Sequence, residues 1–358
     1  MERALSAPGK LFISGEYAVL WGGVARVAAV GPRTGALVRR RADGQVHVCL
    51  EEGTLSGRTT PRGVHWEREV PAGFSFVART LDEALRLHGR ERVGFDLAVA
   101  PSAVVEGRKL GMGGSACATV LAADAARFVL EEKFDALKLA LVAHAAAQGG
   151  KGSGGDVAAS YAGGVVRYRR YEVASLVEAS SAGGFRTALE AAPQVDVWRL
   201  PVPKVVLGYA FTGESASTRV LISQVEARMD EAARRAFVER SDALGHEIEV
   251  GLGGGDFRAF SEAVSEQQAL LRQLGALETE GMRRVLGMAS AYGCAGKQSG
   301  AGGGDGCILF APDVRTRDSL LEGLRARGFH SLPLEVEPGV HGEAQADPRL
   351  RPWLDAWR

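Results

Sequence analysis

The sequence predicts an α+β fold in two parts, and three observations predict it. Short strand-like apolar runs fill the first half, and a long helical stretch fills most of the second. Glycine is also in excess: 47 of 358 residues, about 13% against a usual ~7%, gathered in clusters at the junctions between elements.

From Ala4 to Val30 the runs KLFIS, GEYAVLWGG and VARVAAV are broken by glycine, as strands joined by tight turns require. Weak alternation through Leu37, Val46, Val48 and Leu50 predicts further strands, with Arg39 to Arg41 as a solvated strand end. Helical spacing covers residues 74–87, and 93–99 alternates as a strand. The Ala-rich stretch 115–130 is apolar on most sides, which suits a buried helix after a glycine loop, and 137–147 reads as a second helix. Residues 165–171 and 205–211 read as strands. A helical region then runs over 217–292 with a break at 251–255. A last strand (307–310), helix (315–327) and strand (331–337) follow a third glycine run. The change in character near residue 200 predicts two domains, 1–200 and 201–358.

Composition narrows the function. With 46% apolar and 24% charged residues the chain folds, and 43 basic against 43 acidic residues leave no global field for nucleic acid or an anionic membrane. Any anion it binds is captured locally. The four cysteines lack C-x-x-C spacing and the seven histidines lack H-x-x-H, so neither a zinc site nor a disulfide framework is expected. No apolar run approaches ~18 residues and no secretory leader precedes Leu5, so the expectation is a cytoplasmic protein. Trp21, Trp66 and Trp198 are expected to be core or interface aromatics.

Three glycine clusters carry the chemistry. Lys109 to Ala116 (KLGMGGSA) lies between a strand and the Ala-rich helix, where bare amides and a helix N-terminus suit phosphate; an ordinary strand-to-helix turn is the competing use. Its spacing is neither that of a Walker loop nor that of a Rossmann loop. Ser115 is a candidate N-cap and metal ligand. In Gly150 to Asp156 (GKGSGGD), Asp156 either orients an attacking group or caps the helix that follows. Lys297 to Asp305 (KQSGAGGGD) runs into the strand CILF, where a flexible linker is the alternative to a close backbone approach.

These segments, with Ala7 to Leu20 (APGKLFISGEYAVL), resemble in order the characteristic motifs of the GHMP small-molecule kinases. Within that family the chain is most similar to the phosphomevalonate kinase branch. Tyr17 stands where mevalonate kinases usually have His, Asp305 where they usually have Gly, and the segment Thr212 to Thr218 (TGESAST) agrees with that branch.

The resemblance implies an N-terminal domain like ribosomal protein S5 domain 2, a C-terminal ferredoxin-like domain, and a site in the cleft between them. The implied activity is transfer of a phosphoryl group from ATP, with Mg2+, to the phosphate of 5-phosphomevalonate. Mevalonate kinase, and a non-catalytic nucleotide-binding relative, are the alternatives. Lys10 and Asp156 are the implied catalytic pair. Lys109, Gly111, Met112, Gly113, Gly114, Ser115 and Ala116 would hold the nucleotide, with Ser115 on Mg2+. Glu16, Tyr17, Ser153, Gly154, Ser217, Gly302, Gly303, Gly304 and Asp305 would line the acceptor site, and Lys109 is also a candidate there. A small-molecule partner is expected, in a monomer or homodimer.

Two departures stand out. Gly114 replaces the first of two usual serines, and 143–148 (AHAAAQ) lacks the Mg2+-binding Glu found in mevalonate kinases. In that stretch His144 is expected to be a packing residue, and Cys117 a small buried one.

Overall fold

Strand β1 (Glu2–Ser14) is buried along nearly its whole length because both its faces are covered. It pairs antiparallel with β2 (Val24–Arg41), whose 18 residues let one half pair elsewhere than the other. The computed structural model describes residues 1–89, 93–101, 104–105, 108–150, 152–213 and 218–357. The first sheet adds β3 (Gln45–Leu50), β4 (Gly53–Thr60), β5 (Gly63–Trp66) and β6 (Gly94–Val99). A two-stranded hairpin, β7 (Val104–Val105) and β8 (Arg108–Lys109), leads toward the first glycine loop.

Helices α1 (Ser75–His88), α2 (Gly114–Leu130) and α4 (Gly155–Ala162) pack against this sheet, and α3 (Ala136–Ala147) packs on those three helices. In α2, residues 119–126 are all buried, and their alanines let neighbouring helices and strands approach from every side. Then come β9 (Val165–Arg169), helices α5 (Ala174–Ala182) and α6 (Phe185–Ala191), and edge strand β10 (Val197–Leu200).

The chain passes to a second sheet between Leu200 and Val206. This sheet is built from β11 (Val206–Phe211), β12 (Ala295–Gln298), β13 (Gly306–Ala311) and β14 (His330–Leu334), in the order β12-β13-β11-β14 and antiparallel throughout. Among the described residues, four helices lie between its first two strands: α7 (Thr218–Glu226), α8 (Glu231–Leu252), α9 (Phe257–Arg272) and α10 (Glu280–Ala291). Helix α11 (Val314–Arg325) connects the last two. That strand order, with helical crossovers in these places, is ferredoxin-like. Among the described residues, no helix is long and apolar enough to cross a membrane.

Several sequence expectations need correction. The single break in 217–292 falls where expected, between Leu252 and Phe257, but two more occur. Asp230 accepts the Ala233 N–H and Thr279 accepts the Met282 N–H, so each caps a new helix where only a continuous one was read. Helices α5 and α6 went unread, as did the tail: β15 (His341–Glu343) pairs with β1, and α12 (Arg351–Asp355) returns to the first sheet.

That return explains why Arg39 to Arg41 is not a solvated strand end. Arg39 donates to the fully buried Asp96 at 2.6 Å and to the Leu354 carbonyl, and Arg41 donates to the Trp357 carbonyl. The arginines clasp the tail. Trp198 is 61% exposed on the edge strand and so is no core aromatic, whereas Trp21 packs edge-on against Phe237.

Candidate active site

The two sheets meet at a cleft of about 380 Å3, and residues from all four segments singled out in the sequence line it. Lys10 sits on β1, and its backbone N–H donates to the Met112 carbonyl at 2.9 Å, tying the strand to the first glycine loop. Two glycines in that loop are fixed by contact. Gly113 has φ +85°, and a Cβ there would stand 2.9 Å from Lys10 Cγ and Cε. Gly111 has φ +68°, and a Cβ there would stand 2.7 Å from the Asp305 side chain. The loop is therefore threaded between a candidate catalytic lysine and the second sheet's glycine run.

Helix α2 starts on Gly113 with no side-chain cap. The amides of Gly114, Ser115 and Ala116 have no intrahelical acceptor, and Gly113, Gly114 and Ser115 face the cleft, so the helix's positive end opens there. Ser115 is thus the second helical residue and not the N-cap. The same holds for Asp156: Gly154, in the left-handed region, is the N-cap of α4, and Asp156 lies in the first turn with its Oδ1 accepting its neighbour Val157's N–H. Freed from capping across the turn, both side chains line the cleft. Tyr168 donates to the Ser153 carbonyl and fixes the loop that carries Asp156.

The second sheet closes the other wall. Tyr209 donates to the Leu110 carbonyl at 2.6 Å, and the Phe12 N–H donates to Ser299 Oγ at 2.7 Å. Tyr17 sits at φ 62°, a costly backbone state for a non-glycine residue, and its hydroxyl donates to the Ala301 carbonyl at 2.7 Å. Glu16 is buried and pairs with the buried Nζ of Lys297, which also donates to the Gln298 carbonyl.

Of the expected site residues, Lys10, Glu16, Tyr17, Gly111 to Ser115, Ser153, Asp156 and Asp305 line this cleft. Ala116 is fully buried in α2 just behind the loop, and Gly154 supports its loop by abutting Leu141 and Tyr168. Lys109 is placed only by its backbone, at the end of β8. Ser217 lies outside the described residues.

The third cluster needs a correction. Ser299, Gly300, Ala301 and Asp305 are the residues that line the cleft, while the Gly303 N–H donates to the Leu277 carbonyl and Gly302 packs against the same residue. Gly303 therefore has no amide free for phosphate, and Gly302 abuts Leu277 and Gln298. Cys117 is buried, donates to the Pro8 carbonyl, and has its thiol pushed up to about 11 by burial.

Sequence reasoning missed Ser299, Gln148, Lys297 and Tyr209. Ser299 and Lys297 lie inside a cluster it had singled out; Tyr209 gave no signal in its strand. It read His144 as packing, with a ligand role as the alternative. The ring does pack against Phe76, but its Nε2 also lies 3.3 Å from Ser115 Oγ and 3.9 Å from Asp156 Oδ2.

Comparison with known proteins matches residues 75–164 to the GHMP kinases N terminal domain and residues 243–330 to GHMP kinases C terminal. The chain is 31% identical to a phosphomevalonate kinase of Streptomyces sp. (strain CL190), over 94% of this chain and 97% of that one. The chain belongs to the GHMP kinases. This GHMP kinase is also 29% identical to a mevalonate kinase of Aeropyrum pernix, over 85% of its own length and 86% of the relative's. Its fold matches that of Streptococcus pneumoniae phosphomevalonate kinase, solved in complex with phosphomevalonate and AMPPNP, with a TM-score of 0.80, 21% identity, and coverage of 93% and 99%. The fold class expected from the sequence is the one observed, and the chain is a small-molecule kinase.

Proposed function

We propose that this enzyme transfers the γ-phosphoryl group of ATP to the phosphate of 5-phosphomevalonate, forming the diphosphate and ADP. The observation that carries the reading is the meeting of Lys10, Ser115 and Asp156, from three separate elements, at one cleft beneath an uncapped helix N-terminus. The choice of acceptor rests on the full-length relation to the Streptomyces phosphomevalonate kinase.

In this reading the amides of Gly113 to Ala116 take the nucleotide phosphates. Lys10 faces the transferred group and compensates the charge that spreads over its oxygens. The acceptor phosphate is already ionised at neutral pH, so Asp156 need not act as a strong base, and positioning and charge compensation by Lys10 matter more. Among the described residues no group of three acidic, His or Cys side chains is arranged to hold a metal ion. The oxygens of Ser115 and Asp156 suit a hard cation that arrives on the nucleotide and keeps its waters, as Mg2+ does, and do not form a cage for a resident ion. When bound, Mg2+ neutralises phosphate charge.

Mevalonate kinase is the second reading, favoured by the Aeropyrum pernix relative. A neutral alcohol would then have to lose a proton, and the base strength of Asp156 would matter. A coupled ADP-release assay with 5-phosphomevalonate and mevalonate in parallel separates the two. Turnover with 5-phosphomevalonate is expected, and turnover with mevalonate alone would overturn the proposal.

A further inference from the structure

His144 is 2% exposed on the last turn of α3 and reaches the candidate machinery from behind. Phe76 covers one side of the ring, with centroids 4.9 Å apart and planes tilted by 31°. Nε2 faces Ser115 Oγ at 3.3 Å, and Asp156 Oδ2 lies 3.9 Å from the same nitrogen. One imidazole atom thus stands between the two oxygen-bearing side chains that the kinase reading uses.

A serine hydroxyl carries one proton and two lone pairs, so it serves a cation only when its proton points elsewhere. Within helices such a proton usually goes to the carbonyl four residues back, as Thr119 Oγ1 donates to the Ser115 carbonyl at 2.8 Å one turn later. Ser115 is too near the start of α2 for this, because Gly111 precedes the helix. A neutral imidazole has one bare ring nitrogen able to accept such a proton, and packing against Phe76 leaves Nε2 facing Ser115 Oγ.

We propose that His144 is a positioning residue for phosphoryl transfer: its Nε2 accepts the Ser115 hydroxyl proton and leaves the Ser115 oxygen with its lone pairs turned to a cation carried on the nucleotide. This rests on the kinase reading above. The ring then carries its own proton on Nδ1.

The test reads nucleotide affinity by calorimetry, using a non-hydrolysable ATP analogue with Mg2+ and again with a chelator, for wild type, His144→Phe and His144→Gln. His144→Phe keeps a ring against Phe76 but has no acceptor, and His144→Gln offers an amide oxygen near the Nε2 position. His144→Phe is expected to lose about 10-fold of the Mg2+-dependent gain in affinity, as removal of such a supporting partner does. Its affinity under chelation should be unchanged, and His144→Gln should keep most of the gain.

Ser115→Ala/His144→Phe is expected to match Ser115→Ala alone. A full gain in His144→Phe, equal losses in both His144 variants, or additive losses in the double variant would overturn the proposal. Nitrogen NMR of the histidine in the wild-type protein is an independent check: the Nδ1–H tautomer is expected, and an Nε2–H tautomer would refute the proposal even if the apolar variant did not fold. A wild type without any Mg2+-dependent gain would instead sink the kinase reading itself.

Discussion

Replacing Gly113 by alanine separates the backbone role of the phosphate loop from its catalytic one. Gly113 has φ +85° and ψ 40°, where an alanine costs about 1–2 kcal/mol. The added Cβ would also stand 2.9 Å from Lys10 Cγ and Cε, against at least 3.4 Å for an ordinary contact, so the Lys10 side chain must shift by about 0.5 Å. A displacement of that order in a reacting geometry lowers kcat by about 10-fold or more.

The control is Gly184→Ala. Gly184 is also an N-cap glycine, with φ 86° and ψ 12°, and a Cβ there meets nothing within 4 Å. Both variants should lower Tm by about 2–4 °C from backbone strain alone. Only Gly113→Ala should also lose turnover, measured by ADP release at saturating substrates. If the two variants turn over alike, Lys10 does not act from where the loop holds it.

Asp156→Asn should lower kcat by about 10²-fold or more through lost positioning of the reacting groups, while ATP affinity measured under chelation stays close to wild type; full turnover would remove Asp156 from the mechanism. Lys297→Met strands a buried Glu16 carboxylate and should cost about 3–5 kcal/mol in denaturant unfolding, with most of the loss recovered by adding Glu16→Gln; no recovery would mean that Lys297 acts elsewhere. The depressed His144 pKa sets a pH dependence. Above about pH 6.5 both folded and unfolded chains carry it neutral, and as pH falls below that value the unfolded chain takes up a proton that the folded one refuses. Stability should therefore fall more steeply from pH 6.5 to pH 5 in wild type than in His144→Gln, by at most about 1.4 kcal/mol per pH unit, and equal slopes would contradict the assigned shift.

What was legible in the sequence is what is local along the chain. The glycine loops announce themselves because positive φ and close approach demand glycine at Gly111 and Gly113, and the strands and helices beside them follow the ordinary periodicities. Both N-cap expectations failed for one reason: a left-handed glycine took each cap, which put Ser115 and Asp156 two positions into their helices and left them facing the cleft. Pairings across the chain left no trace in either segment. Glu16 meets Lys297, and Arg39 meets the Leu354 carbonyl, only because folding brings distant segments together. His144 was read as packing because an alanine-rich helix predicts burial but not which atom of a buried ring faces Ser115. Four residues of the third cluster line the cleft, yet the amide of Gly303 is spent on Leu277, a partner that its own sequence does not reveal.

The central claim is that the phosphoryl group goes to a phosphate oxygen and not to an alcohol. Phosphorus NMR of the product formed from ATP and 5-phosphomevalonate tests it most directly. The account predicts two mutually coupled signals of a new diphosphate, growing in step with ADP. A second uncoupled monoester signal, or ADP release without any new diphosphate, would contradict it.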